Sequence, residues 1–315
     1  MGQPKNRRAR GRKASDGIVD RTPPVGANRS RAATRQSPVR NPTCDAVGPV
    51  VADRLDALAR SISAPFQVET LIAVGSQGAV YQGRYLGQPV AIKIFPAGHD
   101  HRRLALEVGL LQKLNHPNIV KIRAVESVSV NGAVLPLVAY DYVAGGDLRR
   151  YLLPGATALT AVQLIGLGTA IASVASTLWH HRVVHRDISP ANILGPVDAP
   201  ILCDFATVRY LDAPDFGIPA MAGKHGYMAP EVFYRRQLTA NSDLFSLGVT
   251  LYELAARQHP FRHRQDLVLS TKPLRLASLR PDLPPTLTTW IDEMLVYQRL
   301  LAMFEVDLTC CAAPR

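Results

Sequence analysis

The sequence is poor in cysteine, and its first residues lack the apolar segment that a secretory signal requires. Only Cys44, Cys203, Cys310 and Cys311 occur in 315 residues, and they show no metal-ligand spacing. Reduced thiols in a cytoplasmic protein fit this usage best. We expect no secretory signal, and Asn6 stands where a myristoylation signal needs Ser or Thr. An organelle transit peptide stays open as an alternative.

Acidic residues are scarce in one part of the chain only. Residues 1–40 carry eleven of the 36 Lys and Arg residues against two Asp residues, whereas the rest holds 25 basic and 23 acidic side chains. The first residues are also rich in Arg, Pro, Gly and Ser and have no apolar periodicity, which predicts a disordered basic tail over residues 1–60. A solvated arm that meets an acidic partner is favoured over a nuclear-localisation or nucleic-acid segment. Nucleic acid binding is not indicated for the rest of the chain.

Charged residues are also absent from Tyr151 to Trp179, which raises the question of a membrane span. Pro154 and Gly155 interrupt this run, and Gln, Ser and Thr residues dilute it. Leucine, isoleucine and valine recur at intervals of three and four residues, at positions 164, 167, 171, 174 and 178. This spacing is typical of a helix with one buried face, so we predict a core helix and no transmembrane segment.

The remaining pattern predicts two parts of different secondary structure. Residues 66–95 are rich in Val, Ile, Tyr and Phe with interspersed glycines, which indicates β-hairpins. The predicted elements are strands at Phe66–Val74, Ala79–Tyr85 and Val90–Phe95, a helix at about Arg102–Asn115, and strands at Lys121–Val130 and Val134–Tyr142. Beyond them the pattern is mostly helical. We therefore expect an α+β fold, with a small β-rich lobe followed by a larger helical lobe.

Two segments of the β-rich lobe carry residues suited to phosphate binding. AVGSQGAV, Ala73–Val80, lies between two predicted strands, and its small residues let backbone N–H groups approach a polyphosphate. An ordinary hairpin turn is the alternative. Lys93 lies on a strand of buried character, where its ammonium needs a partner or a ligand, and Glu107 on the next helix is the natural partner. An exposed lysine on an edge strand is the competing interpretation.

Further polar residues follow in HRDISPANIL, His185–Leu194. Asp187 is able to accept a hydroxyl proton, and Asn192 has a side-chain oxygen able to bind a metal ion. Asp204 ends an apolar run twelve residues later and offers a second metal-binding oxygen. Each residue alone has an ordinary structural interpretation. Their ordered combination with the glycine-rich turn, the strand lysine and the helix glutamate does not.

This ordered set resembles the eukaryotic-type protein kinases of the Ser/Thr type. Three more segments add to the resemblance: DYVAGGDL (141–148) is similar to the hinge between the lobes, GKHGYMAPE (223–231) to the end of the activation segment, and SDLFSLGVTLYEL (242–254) to the buried helix after it. The resemblance implies a bilobal kinase domain over 61–300, with lobes at about 61–142 and 143–300. It also implies transfer of the γ-phosphoryl group of ATP to Ser or Thr hydroxyls of protein substrates.

The resemblance further implies a role for each matching residue. The catalytic group would be Lys93, Asp187, Asn192 and Asp204, of which Asn192 and Asp204 would bind Mg²⁺. The nucleotide would contact Ala73, Val74, Gly75, Gly78, Val80, Ala91, Lys93, Glu107, Asp141, Tyr142, Asp147 and Leu194. In this set Glu107 pairs with Lys93, Asp147 meets the ribose, and Val80, Ala91 and Leu194 enclose the adenine. Tyr140 takes the gatekeeper position.

Several positions depart from the family pattern. Ala73 and Ala206 replace glycines, Ser189 replaces a lysine that usually meets the γ-phosphate, and Lys224 replaces a threonine. Lys224 or Arg186 would then supply some of the lost charge, and a lysine at position 189 would raise turnover by about tenfold. Because of these departures a pseudokinase that binds nucleotide or acts as a scaffold remains the alternative function.

The activation segment and the chain end also differ from the pattern. Between Asp204 and Pro230 the only hydroxyl side chains are Thr207, Tyr210 and Tyr227. We therefore expect little activation by phosphorylation, with Asp212 or Asp215 as a constitutive substitute. Ala302 stands where the family has an arginine that pairs with Glu231, so residues 301–315 form an atypical end.

Overall fold

The computed structural model describes residue 62 and residues 64–75, 77–130, 132–212, 223–233 and 238–295. The expected basic tail over 1–60 and the atypical end over 301–315 lie outside these residues, and the domain limits stay predictions. The α+β fold class is confirmed, because a five-stranded sheet comes first along the chain and helices follow it.

The first part of the chain forms an antiparallel sheet with the strand order β1-β2-β3-β5-β4. The strands are β1 (Phe66–Gly75), β2 (Gly78–Tyr85), β3 (Gln88–Ile94), β4 (Ile122–Val130) and β5 (Ala133–Asp141). Successive side chains of a strand point to opposite faces. Tyr81, Val90 and Ile92 are accordingly buried in one apolar cluster, while Ala91 and Lys93 lie on the other face of β3.

One helix accompanies the sheet. Helix α1 spans His101–Lys113, close to its predicted range. Asp100 caps it, because its carboxylate accepts a hydrogen bond of 2.9 Å from the backbone N–H of Arg102. The buried side of α1 is apolar except for Glu107, which is 3% exposed. A carboxylate in this position needs partners inside the protein.

The second part of the chain is built around two long helices, α2 (Ala161–His180) and α4 (Ala240–Ala256). Thr160 and Gln163 form a capping box at the start of α2, as Thr239 and Ser242 do at the start of α4. Shorter helices are α3 (Pro230–Phe233), α5 (Leu267–Ser270) and α6 (Leu276–Leu279), and residues 285–295 form a further helix, α7. Gly168 lets α2 approach α4 and α7, because a Cβ there would lie 3.0 Å from the Trp290 ring.

Helix α2 covers the second part of the uncharged segment Tyr151–Trp179. Among the described residues it is the one helix that is long and apolar enough to cross a membrane, with a mean hydropathy of 1.6. Length and composition alone are weak evidence, since a core helix has the same composition. Its apolar residues at 164, 167, 171, 174 and 178 are all buried within the large apolar core, so the predicted core helix is confirmed.

Two small strand pairs hold the loops between the long helices. Strand β6 (Val183–Val184) pairs with β9 (Arg209–Tyr210), and β7 (Ile193–Leu194) pairs with β8 (Ile201–Leu202). The polar loop 185–192 runs between β6 and β7, and Asp204 follows β8. The two pairings therefore bring these polar groups together although they are separate in the sequence.

Candidate active site

A cavity of about 490 Å³ lies between the sheet and the helical part of the chain. All of the nucleotide, catalytic and metal residues expected from the sequence contribute to its lining: Ala73, Val74, Gly75, Gly78, Val80, Ala91, Lys93, Glu107, Asp141, Tyr142, Asp147, Asp187, Asn192, Leu194 and Asp204. The lining also includes Gln77, Val143 and Arg149, which were not expected there, and Lys224, which was expected to supply charge. The cavity therefore unites residues from separate segments of the sequence in one place.

The glycine-rich turn closes one side of the cavity. Gly75 and Gly78 face each other at the end of the β1–β2 hairpin. Gly78 has a φ of +129°, and a Cβ there would lie 2.1 Å from the Ile94 carbonyl oxygen. Gly78 is thus required by the fold itself, whereas a Cβ at Gly75 would meet no atom within 4 Å. The open space at Gly75 allows a ligand to approach the backbone.

The walls of the cavity are apolar and its outer rim is polar. Val80, Ala91 and Leu194 line it from β2, β3 and β7. At the rim the Asp147 carboxylate receives hydrogen bonds of 2.9 and 2.8 Å from Arg149 Nε and Nη2. Asp147 lies where a ribose contact was expected, and in this structure the guanidinium of Arg149 occupies its carboxylate. Asp141 is likewise bound to a guanidinium, that of Arg123.

The expected ion pair of Lys93 with Glu107 is not formed. Lys93 Nζ lies 3.4 Å from Asp204 Oδ1 and 3.1 Å from Gln77 Oε1, while Glu107 Oε1 accepts a hydrogen bond of 3.0 Å from the Tyr140 hydroxyl. Tyr140 lies opposite Ala91 on the adjacent strand β5, so its side chain is on the same face of the sheet as that of Lys93. The Tyr140 hydroxyl, and not the Lys93 ammonium, is therefore the hydrogen-bond donor to Glu107.

The pKa values of these buried groups follow their partners. Burial disfavours the charged form of Lys93, yet the carboxylates of Asp204 and Glu107 outweigh it and raise the pKa of the lysine. Burial pushes the pKa of Asp204 upward, but Lys93 and Lys224 together hold it below its ordinary value. Burial raises the pKa of Glu107. The charged forms of Lys93 and Asp204 therefore stabilise each other.

Asp243 on α4 binds the backbone of the loop that carries Asp187. The Asp243 carboxylate accepts hydrogen bonds of 2.8 and 2.9 Å from the backbone N–H groups of His185 and Arg186. Asn192 Nδ2 closes the loop by donating to the Asp187 carbonyl oxygen at 2.8 Å and to Asp187 Oδ2 at 2.7 Å. The carboxylate of Asp187 is therefore oriented by its own loop.

Asp204 is set in place by the residue after it. Phe205 is fully buried, and its ring meets the His185 ring edge-on at 4.8 Å. Asp204 itself has a φ of +61°. Ala206 lies in the single 3₁₀ turn Phe205–Thr207 and has no positive φ, so alanine fits this position without backbone strain.

Lys224 comes from the segment GKHGYMAPE (223–231) and reaches the centre of the site. Its backbone N–H donates to Asp187 Oδ1 at 2.8 Å, and its Nζ lies 3.0 Å from both Asp187 Oδ2 and Asn192 Oδ1. Gly223 permits this approach, because it has a φ of +129° and a Cβ there would lie 2.5 Å from the Arg186 carbonyl oxygen. From the sequence, Lys224 or Arg186 was expected to supply some of the charge lost at position 189, and it is Lys224 whose ammonium lies beside Asp187.

Ser189 and Asp212, both singled out in the sequence, have well-defined surroundings in the structure. Ser189 is 1% exposed, and its Oγ has no hydrogen-bond partner among the described residues. Asp212 forms an ion pair with Arg182, 3.1 Å away, whereas Arg186 Nε donates to the Thr207 carbonyl oxygen at 2.7 Å. Asp212, one of the two expected substitutes for an activating phosphate, therefore has Arg182 as its ion-pair partner, and Asp215 lies outside the described residues.

Glu231, which was expected to lack its arginine, is 7% exposed and has a defined partner. It accepts a hydrogen bond of 2.6 Å from the Ser242 hydroxyl. Ala302, the position of the missing arginine, lies outside the described residues. The expectation about the chain end stays a prediction.

Comparison with known proteins places this cavity in a defined family. The protein kinase domain matches residues 66–291. Serine/threonine-protein kinase 36 of Pongo abelii is 34% identical over 203 residues, which are 62% of this chain and 15% of that protein. Serine/threonine-protein kinase PkaA of Streptomyces coelicolor is 32% identical over 260 residues, 75% of this chain and 47% of that protein. The chain spans less than half the length of each of these relatives.

Proposed function

The chain belongs to the protein kinase family, and we propose that it transfers the γ-phosphoryl group of ATP to Ser and Thr hydroxyls of protein substrates. The names of the similar serine/threonine-protein kinases support this choice of acceptor. One observation carries the proposal. Lys93, Asp187, Asn192 and Asp204 come from three separate segments and all line one cavity.

The residues of the cavity fit Mg²⁺ and ATP. Asn192 Oδ1 and the Asp204 carboxylate are hard oxygen donors of the kind that Mg²⁺ prefers, and each already lies against an ammonium group. Mg²⁺ in such a site takes its other ligands from phosphate oxygens and water. The open space beside Gly75 suits a polyphosphate, and the apolar walls suit a planar base. When bound, the metal would neutralise negative charge on the phosphates.

In the proposed reaction the residues of this chain mainly orient the reacting groups and stabilise the charge on the phosphates. Asp187 would accept the hydrogen bond of the acceptor hydroxyl and take its proton, while Asn192 holds the Asp187 carboxylate in position. Lys93 would exchange its contact with Asp204 for the α- and β-phosphates. Phosphoryl transfer needs little covalent chemistry from the protein, so this positioning would supply most of the rate.

Thermal unfolding with and without millimolar Mg·ATP tests the binding half of the proposal. We expect the melting temperature to rise, because a ligand that binds only the folded state stabilises it by RT ln(1 + [L]/Kd). Omission of Mg²⁺ should weaken the shift, and Asp204→Asn should do the same in its presence. No shift under any of these conditions would contradict the site assignment.

A nucleotide-binding scaffold, a pseudokinase, is the second candidate. Two contacts favour it. The Lys224 ammonium binds the carboxylate of Asp187, and the Tyr140 hydroxyl binds Glu107 in place of Lys93. A scaffold would bind Mg·ATP with the same thermal shift but would show no phosphoryl transfer above that of Asp187→Asn. Measured transfer on a generic protein substrate therefore separates the two candidates.

The environment of the protein is part of the proposal. The domain would act in the cytoplasm on protein substrates, and the basic residues 1–60 would bind an acidic partner outside the catalytic cavity. The kinase domain would extend over 61–300, with lobes at about 61–142 and 143–300.

A further inference from the structure

The Lys224 side chain brings a cation into direct contact with Asp187. Its Nζ bridges Asp187 Oδ2 and Asn192 Oδ1, at 3.0 Å from each. The side chain of Lys224 is 40% exposed and that of Asp187 only 9%, so the lysine is partly open to solvent while the carboxylate it binds is enclosed. Lys93, the other lysine of the cavity, has its contact with Asp204 instead.

The backbone fixes this lysine as firmly as the side chain does. The N–H of Lys224 donates to Asp187 Oδ1, so one residue binds both oxygens of the carboxylate. Gly223 is needed for this contact, since any side chain there would strike the Arg186 carbonyl oxygen. A merely solvated surface lysine would have neither the backbone contact nor the tightly packed glycine before it.

Ser189 offers no positive charge to the same place. It lies two residues after Asp187, is 1% exposed, and ends in a short neutral hydroxyl. Without Lys224, the loop 185–192 would have no ammonium of its own to present to a transferred phosphoryl group. The charge that this chain lacks at position 189 is therefore present 35 residues later, on a different segment.

We propose that Lys224 is a catalytic residue that contacts the transferred phosphoryl group, so that the segment with Gly223 and Lys224 supplies the ammonium that the loop 185–192 lacks at position 189. This inference rests on the proposed kinase function. In the transfer, the acceptor oxygen forms a bond to the γ-phosphorus, and the bond from the γ-phosphorus to ADP breaks with its electron pair leaving on ADP. The hydroxyl proton passes to Asp187. Lys224 keeps its proton and stabilises the negative charge on the phosphoryl oxygens.

This arrangement also couples catalysis to the activation segment. The ammonium reaches Asp187 only while Gly223 and Lys224 are packed against the loop 185–192. A shift of the segment would remove the charge and the backbone donor together.

The position of Lys224 also changes the expectation for position 189, because a lysine there would bring a second ammonium to a place that Lys224 already fills. Ser189→Lys alone is therefore expected to bring no gain in turnover.

The test compares Lys224→Met and Lys224→Arg with the wild type, with Lys272→Met as the matched control on an exposed lysine. Two quantities are measured: turnover on a generic protein substrate, and the ratio of the affinities for Mg·ATP and Mg·ADP. Lys224→Met should lower turnover by at least about tenfold and reduce the preference for ATP over ADP, because only ATP has the γ-phosphoryl group. Lys224→Arg should keep part of both properties, and Lys272→Met should keep both in full.

The double variant Ser189→Lys/Lys224→Thr moves the charge back to the loop and should recover turnover relative to Lys224→Thr. If Lys224→Met turns over at the wild-type rate or faster and keeps the same ATP preference, Lys224 is no catalytic residue, although transfer that depends on Asp187 would still establish the kinase function. If the wild type shows no transfer above Asp187→Asn, the kinase function itself is wrong. An ATP preference that Lys224→Met leaves unchanged would then overturn the phosphoryl contact as well.

Discussion

At the residue scale, the pair of Tyr140 and Glu107 is the clearest departure from the sequence-based expectation. The residue types and their elements were predicted, since Lys93 lies on β3 and Glu107 on α1. Which donor Glu107 would have was not predictable, because Lys93 and Tyr140 lie on neighbouring strands and on the same face of the sheet. That choice depends on the positions of side-chain atoms in the folded protein, which the spacing of residues along the sequence does not contain.

The hydroxyl of Tyr140 should therefore contribute to stability. Tyr140→Phe leaves the buried Glu107 carboxylate without its donor, and the free energy of unfolding should fall by about 1–3 kcal/mol. A double-mutant cycle with Glu107→Gln in urea unfolding measures the coupling between the two groups. Tyr85→Phe is the control, since Tyr85 packs on Phe66 at the far end of the sheet. A coupling energy of zero would show that the hydrogen bond is not formed in solution.

Gly223 is the residue on which the position of Lys224 depends. Gly223→Ala places a Cβ 2.5 Å from the Arg186 carbonyl oxygen at a φ of +129°, so we expect it to displace Lys224 and to lower both stability and turnover. Gly132→Ala is the matched control, because Gly132 also has a positive φ but a methyl group there would meet no atom within 4 Å. Equal loss of stability in both variants, by thermal unfolding, would mean that backbone conformation alone matters at Gly223.

At the scale of elements, the sequence predicted the strands and long helices well and the loops poorly. Periodicity identifies β2 or α2, because each buries one face over many residues. Strand β7 has two residues, and its pairing with β8 depends on tertiary contacts rather than on its own composition. The contact between Lys224 and Asp187, which are 37 residues apart, likewise depends on tertiary packing and not on local composition.

Helix α4 carries a buried carboxylate whose titration can be measured. Glu253 is 3% exposed, accepts a hydrogen bond from the Tyr227 hydroxyl, and lies 3.3 Å from His263 Nε2. Burial raises the pKa of Glu253 to about 7, from an ordinary value of 4.5. The neighbouring His259 ring lies 4.1 Å from that of His263, and burial lowers the pKa of His259 to about 3. The folded state therefore keeps the proton of Glu253 at a pH where the unfolded chain has lost it.

The sign of the expected pH dependence follows from this raised pKa. Between pH 4.5 and pH 7 the folded state binds more protons than the unfolded state at Glu253, so this group lowers stability as the pH rises and has no further effect above 7. From pH 4.5 to pH 7 the free energy of unfolding of Glu253→Gln should rise relative to that of the wild type. The expected rise is roughly 3 kcal/mol, at about 1.4 kcal/mol for each pKa unit. Urea unfolding of both proteins at pH 5, 6, 7 and 8 measures the difference. A difference that stays constant across these values would contradict the raised pKa.

At the scale of the whole molecule, charge is divided between the basic first residues and a nearly neutral remainder. Deletion of residues 1–40 should leave turnover on a generic substrate unchanged, because every residue assigned to the cavity lies between 72 and 224. The same deletion should weaken binding to an acidic partner, and that binding should fall steeply with salt in the full chain. A large loss of turnover after the deletion would mean that these residues act on the catalytic cavity.

In the proposed function the cavity performs phosphoryl transfer, and Asp187 is the group that orients the acceptor hydroxyl. The most direct measurement compares the wild type with Asp187→Asn for both phosphoryl transfer and Mg·ATP binding. Asp187→Asn should lose most of the transfer while its Mg·ATP affinity changes little, because Asp187 faces the hydroxyl rather than the nucleotide. Equal background transfer in both proteins, with Mg·ATP still bound, would contradict catalysis and leave the nucleotide-binding scaffold in its place.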